Sequence, residues 1–257
     1  MAPLFLGSFR MNIILLGHDD IASKIALRFI ASQLPEHNYK LFLSGPSAAA
    51  ETPPPEQLAR LSMLDKTFYD SLPWNIHGGT DELPAPNSSD GVTALRAFEP
   101  DLFISLRYRR ILKPVSIEIP QHGVLNLHSG LLPQYQGVMA TFWAMLNDDE
   151  EIGCTLHTIV DETIDTGPII GLSRTSVRTE WSYLANVLEL YPDGCRMTVD
   201  AIRKISAGET LETFPQTAAG HYYSVPQPDD LERFLAMGLR LADANDLQDF
   251  LDRHGLI

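Results

Sequence analysis

The 257-residue sequence predicts an α/β protein built on a Rossmann-like, mostly parallel sheet with a small C-terminal appendage. Three observations carry this expectation. The chain opens as strand, turn and helix; further short apolar runs alternate with helical stretches; and the composition shifts after residue 206. The boundaries that follow are an N-terminal extension over 1–10, a main domain over 11–206 and an appendage over 207–257.

The elements are justified in order. Asn12 to Leu16 is a buried-type strand, Gly17-His-Asp-Asp20 a turn, and Ile21 to Leu34 an amphipathic helix with Ile21, Ile25, Leu27 and Phe29 apolar. The turn has one glycine and lacks the Gly-x-Gly-x-x-Gly pattern that lets a backbone approach a pyrophosphate, which argues against a nicotinamide dinucleotide. Tyr39 to Leu43 is the second strand. Pro53-Pro-Pro55 interrupts the following segment, and a helix runs from Glu56 to Tyr69. Between Ser71 and Asp90, Gly78-Gly79 and three prolines surround a short strand at Trp74 to His77, a loop of the length that covers sites. Asp90 is the expected cap of a helix through Phe98, and Asp101 to Leu106 is the next strand. Met139 to Asn147 reads as a helix, Ile152 to Val160 as a strand, and Trp181 to Ser206 as a long helix broken at Pro192-Asp-Gly194. In the appendage, Leu231 to Met237 and Asp246 to His254 are short acidic helices.

Composition narrows the function. The 33 acidic and 19 basic residues give a formal net charge of -14, which repels phosphate backbones and anionic lipid surfaces, so neither nucleic acid nor membrane is an expected partner. Two cysteines, Cys154 and Cys195, fit a reducing compartment better than a disulfide scaffold. Arg10 and Asn12 interrupt the apolar patches near the N-terminus, so no signal region or span is read there, and the expected location is cytoplasmic.

The stretch Gly123-Val-Leu-Asn126-Leu-His128-Ser-Gly130-Leu-Leu-Pro133-Gln-Tyr-Gln-Gly137 is the centre of the chemistry. Residues two apart on a strand share a face, so Asn126 and His128 emerge side by side while Leu127 faces the core. The strand stops at Ser129-Gly130, and Pro133 and Gly137 bound a loop, the usual position for functional groups in an α/β sheet. Downstream, Asp161-Glu-Thr-Ile-Asp165-Thr-Gly167-Pro168 places acids on a turn before another apolar run. Asn126, His128 and Asp165 are the candidate catalytic residues of an acyl-transfer site.

These residues resemble the 10-formyltetrahydrofolate-dependent formyltransferase family: Asn-x-His, a Leu-Pro turn ending in Gly, then Asp-x-Gly after the next strand. The match extends from about Asp101 to Ile170. Many members carry Ser where this chain has Gly130, and a His-x-Gly-Leu-Leu-Pro form resembles members that formylate nucleotide-linked amino sugars; Gly130 also fits a backbone position needing positive φ. The resemblance implies 10-formyltetrahydrofolate as formyl donor and a primary amine of a small metabolite as acceptor. It implies that Arg107, Ile111 and Leu112 form one wall of a pterin pocket and the loop to Asp165, with Asp161 and Ile164, the other. It implies that the first turn, with His18, Asp19 and Asp20, faces the acceptor; the alternative for these three is a solvated helix N-terminus with an aspartate cap. Arg107, Arg109 and Arg110 fit a folate glutamate tail, a substrate phosphate or a salt-bridged surface equally. His221 to Pro226 resembles a tyrosine-containing segment of small-molecule members, which are often dimers, so a homodimer is a further expectation.

In this reading His128 accepts the amine proton, Asn126 donates to the oxyanion, and Asp165 orients His128. Other readings stay open. Acceptors ranked behind the amino sugar are a hydroxyornithine-type amine and glycinamide ribonucleotide. A hydrolase releasing formate from the same donor and a non-catalytic folate or nucleotide module are the alternatives in other classes. The hydrolase and initiator-tRNA branches carry additional domains, which this sequence is not expected to hold. No metal is expected: Cys154 and His157 lie three apart on a strand and point to opposite faces. Ser129 lacks a nucleophile elbow, so direct transfer is expected.

Overall fold

The computed structural model describes residues 9–45, 53–74, 76 and 80–256. Most of the expected N-terminal extension, Gly78-Gly79 and part of the Trp74 to His77 strand lie outside the described residues. The strands are β1 (Asn12–His18), β2 (Asn38–Ser44), β3 (Thr80–Glu82), β4 (Leu102–Ser105), β5 (Val124–His128), β6 (Gln136–Gly137), β7 (Glu151–Ile159), β8 (Ile169–Ser176) and β9 (Tyr222–Tyr223). The helices are α1 (Ile21–Gln33), α2 (Glu56–Ser71), α3 (Ser89–Arg96), α4 (Pro114–Ile117), α5 (Ala140–Leu146), α6 (Tyr183–Glu189), α7 (Tyr191–Ser206), α8 (Pro228–Ala236) and α9 (Ala244–Arg253).

Among the described residues the main sheet has seven strands in the order β3-β2-β1-β4-β5-β7-β8. The first five are parallel; β7 runs antiparallel to β5 and β8 antiparallel to β7. This is the expected Rossmann-like, mostly parallel α/β sheet. Alternation along each strand fills a core on both faces: Ile13, Leu15, Leu102, Ile104, Leu125 and Leu127 join one apolar cluster, while Ile14, Leu16, Phe103 and Val124 join another. The chain passes from β1 outward to β2 and returns to β4 on the other side, so the crevice beyond the C-terminal ends of β1 and β4 is the switch point of the fold.

Three expectations shift. Ser88, not Asp90, caps α3, because the Ser88 hydroxyl accepts the Gly91 N–H at 3.1 Å; Asp90 sits in the first turn. The Trp181 to Ser206 stretch breaks at Leu190, ahead of Pro192, which sits in the first turn of α7, where a missing N–H removes no helical bond. Gly130 has no positive φ; it is needed for room.

Residues 207–256 pack into the same cluster as the sheet: Leu231, Phe234, Leu247, Phe250 and Leu251 are buried in it, and the Phe234 ring stacks on Phe142 with centroids 4.5 Å apart. Phe214 exchanges both backbone hydrogen bonds with Ile169 of β8, and β9 pairs in parallel with β6. The C-terminal segment thus reaches the loop that follows β5. Among the described residues no helix is long and apolar enough to cross a membrane.

Candidate active site

The period of β5 presents Asn126 and His128 on one face, and the register with β7 sets His157 directly opposite Asn126. Asp165, on the turn between β7 and β8, enters between the two histidines. Its Oδ2 lies 3.4 Å from His128 Nδ1 and its Oδ1 3.5 Å from His157 Nε2. Asp165 Oδ2 also accepts the Gly137 N–H at 2.9 Å, and Asn126 Nδ2 is 3.4 Å from Oδ1. The structure therefore brings Asn126, His128 and Asp165 together and adds His157, which sequence reasoning weighed only as a zinc ligand.

Neighbouring carbonyls fix where hydrogens sit on the rings. His128 Nε2 lies 2.7 Å from the Tyr135 carbonyl oxygen, so Nε2 carries hydrogen and donates; Nδ1, facing Asp165, is the nitrogen free to exchange a proton. His157 Nδ1 donates to the Thr158 carbonyl at 2.9 Å, which leaves its Nε2 lone pair to accept from Asn126 Nδ2 at 2.9 Å. Burial opposes ionisation of Asp165, but His128 and His157 in their charged forms and the Gly137 N–H outweigh it and hold the carboxyl down at about 2. A buried anion between two imidazoles can stabilise a proton that arrives on either ring.

Gly130 belongs to this geometry. A Cβ there would lie 2.5 Å from His128 Nε2, 2.6 Å from the Ala140 Cβ and 2.9 Å from the Tyr135 carbonyl oxygen. Only glycine leaves the His128 ring in contact with that carbonyl. Tyr135 is itself held: its hydroxyl donates to Asp149 Oδ2 at 2.5 Å, and its ring stacks on Tyr223 of β9.

The pocket walls come out unevenly. Ile111 and Ile164 are 52% and 39% exposed and Val160 is also open, so apolar surface is available on both segments. Leu112 is 4% exposed and packs with Ile117, Phe103 and Val124 in the core, so it lines no open slot; an apolar residue after a strand suits either place. Ile159 packs on the same cluster, which makes the two segments neighbours. Asp161 is exposed and accepts from the Thr163 N–H at 2.8 Å, closing its own turn. Arg107 Nε donates to Asp20 Oδ2 at 2.7 Å, with the backbone in the left-handed region at φ +57, so one edge of its guanidinium is held by the first turn.

The switch point holds a second buried acid. Asp20 caps α1, accepting from the Ser23 N–H at 2.8 Å, as the helix-cap alternative has it, while Asp65 accepts from the Ile21 N–H at 3.2 Å. Burial and the neighbouring Asp20 push the Asp65 carboxyl up to about 7. Burial, reinforced by Arg109, holds His18 down at about 4, and its neutral ring donates to the Ser44 carbonyl. Cys154 lies in the core against Gly194 of α7, on the other side of β7 from His157. No group of three or more His, Cys, Asp or Glu residues is arranged to hold a metal among the described residues.

An α/β sheet thus presents an amide, two imidazoles and a nearly buried carboxylate at a loop end, a set of groups suited to moving protons, and comparisons with known proteins narrow its context. Residues 84–183 match the family model described as formyl transferase. The chain is 33% identical over 130 residues to methionyl-tRNA formyltransferase of Kosmotoga olearia, an alignment covering 51% of this chain and 41% of that relative. The chain thus spans less than half the length of that curated relative. Among solved structures, glycinamide ribonucleotide transformylase 1 of Symbiobacterium toebii shares the fold with a TM-score of 0.57 at 17% identity, covering 83% of this chain and 97% of that one. The N-formyltransferase of Helicobacter canadensis, solved with folinic acid and dTDP-3-aminofucose, shares it with a TM-score of 0.51 at 21% identity, covering 84% of this chain and 71% of that one.

Proposed function

We propose that the protein transfers a formyl group from 10-formyltetrahydrofolate to a primary amine of a small metabolite, with a nucleotide-linked amino sugar ranked first among acceptors. The observation that carries this reading is the Asp165 carboxylate set between His128 and His157, with Asn126 bonded to the second imidazole. The formyl donor supplies an activated one-carbon acyl group. The exposed apolar side chains of Ile111, Val160 and Ile164 suit a flat ring with a polar edge, and they are the residues that would hold it.

The protein's own groups then divide the work. The acceptor amine attacks while neutral and becomes cationic as its bond to the formyl carbon forms. His128 Nδ1 takes the proton it sheds, and Asp165 Oδ2 stabilises the resulting imidazolium. The proton then passes to the nitrogen that leaves, so charge and mass balance without a covalent enzyme intermediate. Asn126 Nδ2 is engaged with His157 and, over a longer 3.4 Å, with Asp165; the longer contact is the one exchanged for the developing oxyanion.

The net charge of -14 favours a small acceptor over a nucleic acid, and the amino-sugar nucleotide held by the Helicobacter canadensis protein supports ranking that class first. The test is absorbance-monitored conversion of 10-formyltetrahydrofolate to tetrahydrofolate with amino-sugar nucleotides, hydroxyornithine and glycinamide ribonucleotide as acceptors. Conversion that requires one of these amines is the expected result. Conversion at the same rate without any amine would make the protein a hydrolase.

A further inference from the structure

Gln216 lies between α7 and β9, outside the motif and 51 positions from the acid it contacts. Its Nε2 is 2.8 Å from the Asp165 carbonyl oxygen and 2.8 Å from the Gly167 carbonyl oxygen. Both amide hydrogens are engaged, and the reversed amide would set oxygen against two oxygens, so the orientation is fixed. The Gln216 Oε1 is buried without a partner among the described residues. A side chain that only filled space here would do better without an unsatisfied oxygen. The two N–H groups are what this position supplies.

The backbone they hold is an unfavourable one. Asp165 has φ +56, in the left-handed region that a side chain disfavours. The turn is also pressed on β7, since a Cβ at Gly167 would come within 1.8 Å of the Thr158 carbonyl oxygen. On the side-chain end, Asp165 Oδ2 is fixed by the N–H of Gly137, whose strand β6 is paired to β9. Phe214, bonded to Ile169, brings Gln216 down onto the turn. Both ends of the aspartate are thus set from the C-terminal segment.

We propose that Gln216 is a positioning residue for formyl transfer: its amide holds the left-handed turn at Asp165, so the C-terminal segment, not the sheet alone, aims the carboxylate between His128 and His157. The kinetic readout rests on the proposed function, while the conformational readout rests on the geometry alone.

Gln216→Met keeps the length and removes both donors; Gln216→Lys restores a donor to the two carbonyls. The experiment compares hydrogen exchange over 161–167, melting temperature, kcat and KM for the formyl donor in wild type and both variants. In Gln216→Met, exchange over the turn rises about tenfold or more, and kcat falls about 10- to 100-fold with KM within about threefold and the melting temperature near that of wild type. Gln216→Lys recovers part of both losses. Unchanged exchange in Gln216→Met overturns the proposal. So does a fall in kcat that only tracks a lower melting temperature or a higher KM and that Gln216→Lys does not restore. A wild type that formylates no amine overturns the functional reading instead, and the exchange comparison still decides the role of Gln216.

Discussion

Asp20, buried, and Asp165, nearly so, are both acids on loops that follow strands of the same sheet, and they differ in their partners. Asp20 is bonded to the Arg107 guanidinium and caps α1. Asp165 lies between two imidazoles. Both carboxyls are held below their ordinary range against the opposing effect of burial, Asp20 chiefly by Arg107 and Asp165 chiefly by His128. Arginine keeps its charge throughout the working pH range, so the Asp20 pair stays charged throughout it. An imidazole can carry a proton or a lone pair on the nitrogen that faces the anion, and the proposed function gives Asp165 a part in proton transfer on that ground. The two acids are thus distinguished by the chemistry of their partners, a guanidinium in one case and two imidazoles in the other.

The contrast can be broken by exchanging roles. Asp165→Asn preserves shape but removes the charge that supports imidazolium; kcat should fall by about 10³, within the 10² to 10⁴ typical of acid–base groups, with folding retained. Asp20→Asn should do the reverse. It leaves Arg107 buried without its anion, costing about 3 to 5 kcal/mol of stability by chemical denaturation, while kcat of the folded fraction changes less than about tenfold. A large loss of kcat in a stable Asp20→Asn protein would place that acid in the chemistry and break the comparison.

Smaller effects sharpen it. Gly130→Ala puts a methyl group against His128 Nε2 and the Tyr135 carbonyl, and should lower stability by about 1 to 3 kcal/mol with the His128 ring displaced in the variant's crystal structure. The two sites also carry opposite pH signatures. The Asp165 carboxyl drops from 3.8 to about 2 on folding, so its stabilisation is present above about pH 4 and is lost as pH falls toward 2. Asp65, beside Asp20, rises from 3.8 to about 7, so the folded state holds a proton that the unfolded chain releases, and stability falls as pH climbs through that window. Asp65→Asn should therefore melt higher than wild type at pH 8, with the gain shrinking to nothing as pH falls through the same window to about 4.

Much of this arrangement is legible in the sequence. The apolar runs of β1, β2, β4 and β5 read directly as strands, and the period of β5 placed Asn126 and His128 on one face. The Asp165 turn was legible from its acids and glycine. What periodicity cannot supply is register between distant strands, and it is the pairing of Asn126 opposite His157 that brings the second imidazole to the site. Arg107 and Asp20 are 87 positions apart, and no local pattern joins them. Ser88 and Asp90 are both good caps two positions apart, and only the bond to the Gly91 N–H chooses between them. Leu112 followed a strand as an apolar residue, equally suited to a pocket wall or to the core where it packs.

The central claim is direct transfer between donor and amine under the control of His128 and Asp165. The measurement that tests it most directly is a single turnover with donor labelled at the formyl carbon, wild-type protein in excess, and an accepting amine present. The label should appear on the amine nitrogen in step with tetrahydrofolate, none should remain on the protein, and Asp165→Asn should slow both together. Label released as formate whether or not the amine is present, or label trapped on the protein, would contradict the account.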